Sequence, residues 1–312
     1  MTARAAAASK TGVSRADPPL IPGASPVLIA VCGVAFLCGM DAVMKHVVAS
    51  VHPVTATFAR SLLCLPFAIP LWLAAGRPAL SRNVLGAHAI RGAVMAFSAA
   101  AFFWALTVLP LAEAVTLSFV APLIIPFIAW ALLREKPRLT SVSAGLIGFA
   151  GVVLTTQGAP ASADTPERTL GIVLMLLAAV AWAASLVLLR GRASRDGPAI
   201  VVLMGGLVPA LLLAPAAVAI GDLPSADAMG WLLLAGALTV AGVWTLTRAY
   251  ARAEAQVLAP IEFTALGWAA LLGWLIFAEV PRLEIWLGAA VIMAACLFAA
   301  WDERRSRPLP SL

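Results

Sequence analysis

Along most of this chain apolar residues follow one another in unbroken runs, separated by short polar clusters that carry most of the charge. A helix needs about 20 such residues to cross a hydrocarbon core ~30 Å thick, at about 1.5 Å of rise per residue. Ten runs approach or meet that length, at roughly 26–48, 54–74, 92–109, 111–133, 141–157, 170–189, 198–220, 228–247, 253–277 and 285–301. They are continuous rather than alternating, which predicts helices and not barrel strands. The runs 198–220 and 228–247 contain no charged residue. The expected fold class is an all-α membrane protein of ten transmembrane helices.

Composition agrees. Of 312 residues, 62% are hydrophobic and 12% charged, with a mean hydropathy of +0.99, which excludes a disordered chain and an ordinary water-soluble enzyme. The net charge of +6 suggests nucleic acid only until the basic residues are located. With the N-terminus placed in the cytoplasm, seventeen of the 21 Lys and Arg fall in inner segments, and only Arg168 and Arg282 fall outside. Such a bias is the usual topology signal of inner-membrane proteins, with both termini cytoplasmic, and it leaves no basis for nucleic-acid binding. Residues 1–25 and 302–312 read as cytoplasmic tails, the first disordered. Cys32, Cys38, Cys64 and Cys296 all fall in apolar runs and behave as small apolar residues.

The chain also repeats itself. Glu135-Lys136-Pro137-Arg138-Leu139 is echoed by Glu279-Val280-Pro281-Arg282-Leu283, 144 positions later. Each copy follows an apolar run opened by Ala-Glu-Ala, at 112–114 and 253–255, and the first runs of the two halves start at 26 and 170. The units are therefore 26–157 and 170–301, five spans each. An odd number of spans gives the halves opposite orientation, and inverted halves can rock about a shared site near the midplane.

AEAVTLSFVAPLIIPFIAWALLREKP and its counterpart AEAQVLAPIEFTALGWAALLGWLIFAEVP resemble the repeat signature of the drug/metabolite transporter superfamily, EamA type. The stretch TFARSLLCLPFAIPLWL with Arg60, and AAVAWAASLVLLRGRA with Trp182, are similar to that family's second and sixth helices. The family's usual Gly before the motif Glu is replaced here by Arg134 and Ala278. The resemblance covers roughly residues 26–301 and implies a secondary transporter of small organic solutes working by alternating access. Export of an amino acid or related metabolite is the activity it first suggests. The alternative is an uptake carrier for a vitamin or nucleotide-like cofactor of the riboflavin or S-adenosylmethionine type.

Ionisable residues inside spans are costly in lipid and mark functional positions. Four stand out: Asp41, Lys45, Arg60 and Glu262. Asp41 and Lys45 share a helix face. Asp41 and Arg60 lie about 10 Å below the turn joining the first two spans, hence level with each other. They form either a structural salt bridge or part of a polar cavity in which Lys45 or Arg60 meets a substrate carboxylate. Glu262, about 14 Å from the inner end of span nine, is the candidate for a substrate amino group or a coupling proton. Trp104 and Trp182 are candidate apolar walls of that site. Pro122, Pro126 and Pro260 interrupt spans four and nine, the corresponding helices of the two halves, and suit paired gates; Pro66 and Pro70 interrupt span two. Gly145, Gly148 and Gly151 read as a close-packing face. Glu113 and Glu254 suit helix N-termini, and Glu135 and Glu279 read as loop ties.

No His/Cys/Asp grouping has ligand spacing and no phosphate-binding Gly loop is present, so neither an enzyme, a metal nor a cofactor is expected. The expected partners are the bilayer, a small-molecule substrate and protons, with a monomer or homodimer sufficing.

Overall fold

The structure, a computed structural model, describes residues 26–121, 165–190, 193–250 and 264–305, with scattered helical positions between 124 and 154. Among these the elements are α1 (Pro26–Val48), α2 (Pro53–Leu63), α3 (Leu65–Ala74), α4 (Arg82–Ala105), α5 (Leu111–Ser118), α6 (Pro166–Arg190), α7 (Ala193–Ile220), α8 (Ala226–Tyr250), α9 (Thr264–Phe277) and α10 (Leu283–Arg305). Six are long and apolar enough to cross a membrane, counting α2 and α3 as one; α9 and the first part of α10 are shorter apolar helices. The runs expected at 111–133, 141–157 and 253–277 lie only partly within the described residues.

Local chemistry sets the helix limits. Span two divides at Cys64, two residues before Pro66, whereas Pro70 sits inside α3 without ending it. Ser81 accepts a hydrogen bond from the Val84 N–H and starts α4 at Arg82, ten residues before the expected 92. Arg91, expected in a cytoplasmic loop, is therefore helical and only 8% exposed. The apolar window missed this stretch because the helix continues through polar positions, one of which, His88, pairs with Asp196 of α7 at 3.0 Å. In α7, Gly197 has φ +72° and kinks the helix just where the apolar run begins at Pro198.

The packing obeys an exchange of halves. The most extensive contacts are α1 with α8 and α4 with α6; next come α2 with α7 and α4 with α7, while α1–α9 is matched by α5–α6. Swapping the first five spans for the second five turns α1–α8 into α4–α6, α1–α9 into α5–α6, α4–α7 into the less extensive α2–α8 contact, and α2–α7 into itself. Register agrees too. In the α1–α8 crossing a Cβ at Gly33 would meet Leu246 Cγ at 2.7 Å, and one at Gly242 would meet Leu37 Cγ at 2.8 Å. In the α4–α6 crossing Gly171 faces Val108, and Ser98 Oγ donates to the Ala178 carbonyl at 2.9 Å. Partner numbers add to nearly the same total in both crossings, as a shift of 144 between halves requires. Both crossings are antiparallel, so α1 and α6 run in opposite directions. Small residues let these backbones close up, which is how helices pack where lipid supplies no hydrophobic drive. Gly151 does the same against α10, where a Cβ would meet Ile292 at 2.7 Å; Gly145 and Gly148 lie outside the described residues.

Candidate functional site

Besides the His88–Asp196 pair, two polar groups stand out among the described residues of this apolar bundle. The first is level with the middle of α8. Arg60 projects from α2, is 8% exposed, and donates through Nη1 to Thr239 Oγ1 of α8 at 3.0 Å. Its guanidinium carbon lies 5.4 Å from the centre of the Phe103 ring of α4, within cation–π range. Thr239 passes its own proton to the Ala235 carbonyl at 2.7 Å, and Thr57 and Ser61 do likewise to carbonyls one turn back. Thr239 Oγ1 is thus left to accept from Arg60. Arg60 Nε and Thr55 Oγ1 are buried with no hydrogen-bond partner.

Asp41 belongs to the same level. It lies one turn beyond Leu37, which packs on Gly242, and Gly39 faces Leu238; this register sets Asp41 beside Leu238 and Thr239. Asp41 is half-buried and within electrostatic reach of Arg60. Among the described residues the two make no ion pair, so the first of the two alternatives, a structural salt bridge, is not formed. α8 comes close to α2 here, since a Cβ at Gly236 would sit 2.6 Å from the Leu63 carbonyl oxygen, and Cys64 Sγ lies 3.7 Å from the Gly236 carbonyl.

The second group closes the end of the bundle at which α1 finishes. Lys45 Nζ donates to Glu279 Oε1 at 2.5 Å and to the Leu109 carbonyl at 2.9 Å. It also lies 5.3 Å from the centre of the Phe277 ring. The other Glu279 oxygen accepts from the Leu111 N–H at 2.9 Å, capping α5 from across the bundle where Pro110 supplies no side-chain cap. Beside it Glu113, 1% exposed, accepts from Arg168 Nη2 at 2.5 Å and from Arg282 Nη2 at 3.3 Å. The His52 N–H donates to Asp222 Oδ2 at 2.6 Å at the same end. A cavity of about 180 Å³ remains between α5, α9 and α10, lined by Ala112, Ala269, Gly273, Glu279, Arg282 and Ile285 among others. That is below the ~300–1,000 Å³ of ordinary small-molecule sites.

Against expectation, then, Lys45 does not join Asp41 and Arg60; it is held by Glu279. Glu113 occupies a first turn as expected, but it is buried between two guanidiniums rather than sitting at an interface. Glu279 ties a loop, as its spacing suggested. Trp104, next to Phe103, is half-buried, while Trp182 is 37% exposed. Glu262, Pro122, Pro126 and Pro260, and with them Glu135 and Glu254, lie outside the described residues. Thr239 and Phe103 were missed because a Thr and a Phe in an apolar run carry no distinguishing signal. Arg168 and Arg282 had one: they are the two exceptions to the inner bias of basic charge.

Residues 24–157 and 169–301 each match the EamA-like transporter family. The chain belongs to that family. Among EamA-like relatives, the riboflavin transporter of Vibrio cholerae is 30% identical over 74% of this chain and 77% of its own. The S-adenosylmethionine uptake transporter of Rickettsia prowazekii is 25% identical over 85% of this chain and 89% of its own. A crystal structure covering 91% of this chain and 99% of its own superposes with a TM-score of 0.64 at 22% identity, and so shares the fold. This EamA-like chain is thus a membrane transporter of multi-pass helical fold.

Proposed function

We propose that this protein is a ten-span carrier of the inner membrane that takes up a vitamin or nucleotide-like cofactor, of the riboflavin or S-adenosylmethionine class, by alternating access. The observation that carries the reading is that relatives aligned over about three quarters or more of this chain carry the names of those two cargoes. Both cargoes are heterocyclic metabolites rather than amino acids, and the Rickettsia relative carries the name of an uptake transporter, which favours uptake over export of an amino acid. The halves run in opposite orientation with both termini cytoplasmic, so the end closed by Lys45 and Glu279 faces outward.

Cargo binds between the halves at the level of Arg60 and Asp41. Arg60, braced by Thr239 and Phe103, has a buried Nε without a partner, and a membrane interior makes such a group costly unless something else engages it. Asp41 supplies the opposing charge and Trp104 part of the apolar wall. Glu262 is the proton carrier, and Pro122, Pro126 and Pro260 are the bending points of the gates.

Growth rescue separates the activities. In a riboflavin auxotroph at limiting external vitamin, and in cells dependent on external S-adenosylmethionine, expression should restore growth with one of the two. Rescue by neither, together with new resistance to a toxic amino-acid analogue, would replace uptake with export.

A further inference from the structure

Lys45, Glu113, Arg168, Glu279 and Arg282 come from four separate places in the chain: the end of α1, the first turn of α5, the first turn of α6, and the connection between α9 and α10, which supplies both Glu279 and Arg282. Their contacts are mutual. Glu279 holds Lys45 with one oxygen and the start of α5 with the other, and Glu113 holds both the α6 arginine and the α9–α10 arginine. Lys45–Glu279 and Glu113–Arg282 each join the first half of the chain to the second. Glu113 is the most deeply buried of the set, at 1%.

A pair merely fastening one hairpin would stay within one half. These pairs cross the line along which two rocking halves must part, all of them at the end where α1 finishes; at the opposite end of α4 the His88–Asp196 pair also joins the halves. Charge-assisted bonds are directional and short; unlike apolar packing, they break into hydrated ions once water enters, so they suit a contact that must open and re-form. We infer that these five residues are the outer latch of the carrier and that the structure is the state shut on that side. This rests on the orientation given in the proposed function. The cavity lined by Ala269, Glu279 and Arg282 is the space that widens when the latch parts. In sequence the same charge types recur in the opposite half at Glu135, Arg138 and Glu254, which lie outside the described residues.

The test uses full-length protein with its four cysteines replaced and a single reporter, Ala269→Cys, whose parent side chain is fully buried. A membrane-impermeant maleimide is applied to right-side-out and to inside-out vesicles. The reporter should label slowly in the parent. Labelling of right-side-out vesicles should rise at least tenfold in Glu279→Gln and in Lys45→Met, the latter keeping Glu113 and its arginines intact should the former fold poorly. The exchanged pair Lys45→Glu with Glu279→Lys should return it toward the slow rate. Parent-like labelling in both single variants would overturn the latch, as would an exchanged pair that labels as fast as the singles. An increase confined to inside-out vesicles would keep the latch and overturn the orientation.

Discussion

The Arg60 group and the Glu113–Glu279 group are built from similar residues and differ, among the described residues, in whether they are complete. At the closed end each acidic oxygen has a donor: Glu279 takes Lys45 and a backbone N–H, and Glu113 takes two arginines. At the Arg60 level a guanidinium buried to a similar degree keeps an unpartnered Nε, and the carboxylate beside it makes no ion pair. A closed set of charges in lipid holds helices together. An open set is stable only if water or cargo completes it. Substitutions should therefore separate the groups: the first through stability and gating, the second through cargo.

The largest effect is expected at the open set. Arg60→Gln should cut uptake about 100-fold or more, consistent with the roughly 3 kcal/mol that a buried charged hydrogen bond contributes, while leaving membrane abundance and melting temperature near the parent's. Loss of the folded protein instead would make Arg60 structural. Next is Glu113→Ala. It strands two guanidiniums around a vacated, fully buried position, and breaking a buried pair from one side costs about 3–5 kcal/mol. Thermal unfolding in detergent should show this as a large drop in melting temperature.

Gly236→Ala should be intermediate, about 1–3 kcal/mol, because the new methyl meets the Leu63 backbone carbonyl at 2.6 Å and the helices must separate. Uptake should fall as well, since Thr239 moves with α8; an Ala at 236 without effect on either readout would mean that the α2–α8 spacing is loose. The smallest effect has the opposite sign. Ala278 has φ +52°, a left-handed conformation that costs an L-residue about 1–2 kcal/mol and a glycine little. Ala278→Gly should raise stability by about 1 kcal/mol.

That last position shows how much of the molecule can be read in its sequence. The family's Gly before the motif Glu and the absence of one here are both visible in the letters. That the position ends α9, with Ala278 N–H bonded to the Trp274 carbonyl and Glu279 N–H to the Gly273 carbonyl, is visible only in the backbone. The apolar runs and the offset of 144 foretold most helices and the pairing of halves, because spanning length and repeat register are one-dimensional quantities. The start of α4 was misjudged by ten residues, since a Ser cap and a His–Asp pair extend a helix beyond its apolar stretch.

The charged residues show the same division. Asp41 and Arg60 were expected to be level, because depth along two joined helices follows from counting residues, and they lie within electrostatic reach of each other. Lys45 was grouped with them by its place on the α1 face, yet its partner, Glu279, is 234 positions away. Pairings across such distances are set by how helices pack, which no local pattern encodes. Glu113 with Arg168 and Arg282 is the instructive case. The two arginines that departed from the inner charge bias both pair with a single carboxylate, so an exception in the count already pointed to a buried partner.

The account stands or falls on whether the Arg60 level handles cargo. The direct measurement is initial-rate uptake of radiolabelled riboflavin and S-adenosylmethionine by cells expressing the parent, Arg60→Gln or Glu113→Gln, each normalised to protein in the membrane. Saturable uptake of one compound, abolished by the Arg60 change and only partly reduced by the Glu113 change, is the expected result. Uptake of either compound that persists at the parental rate without Arg60 would contradict it.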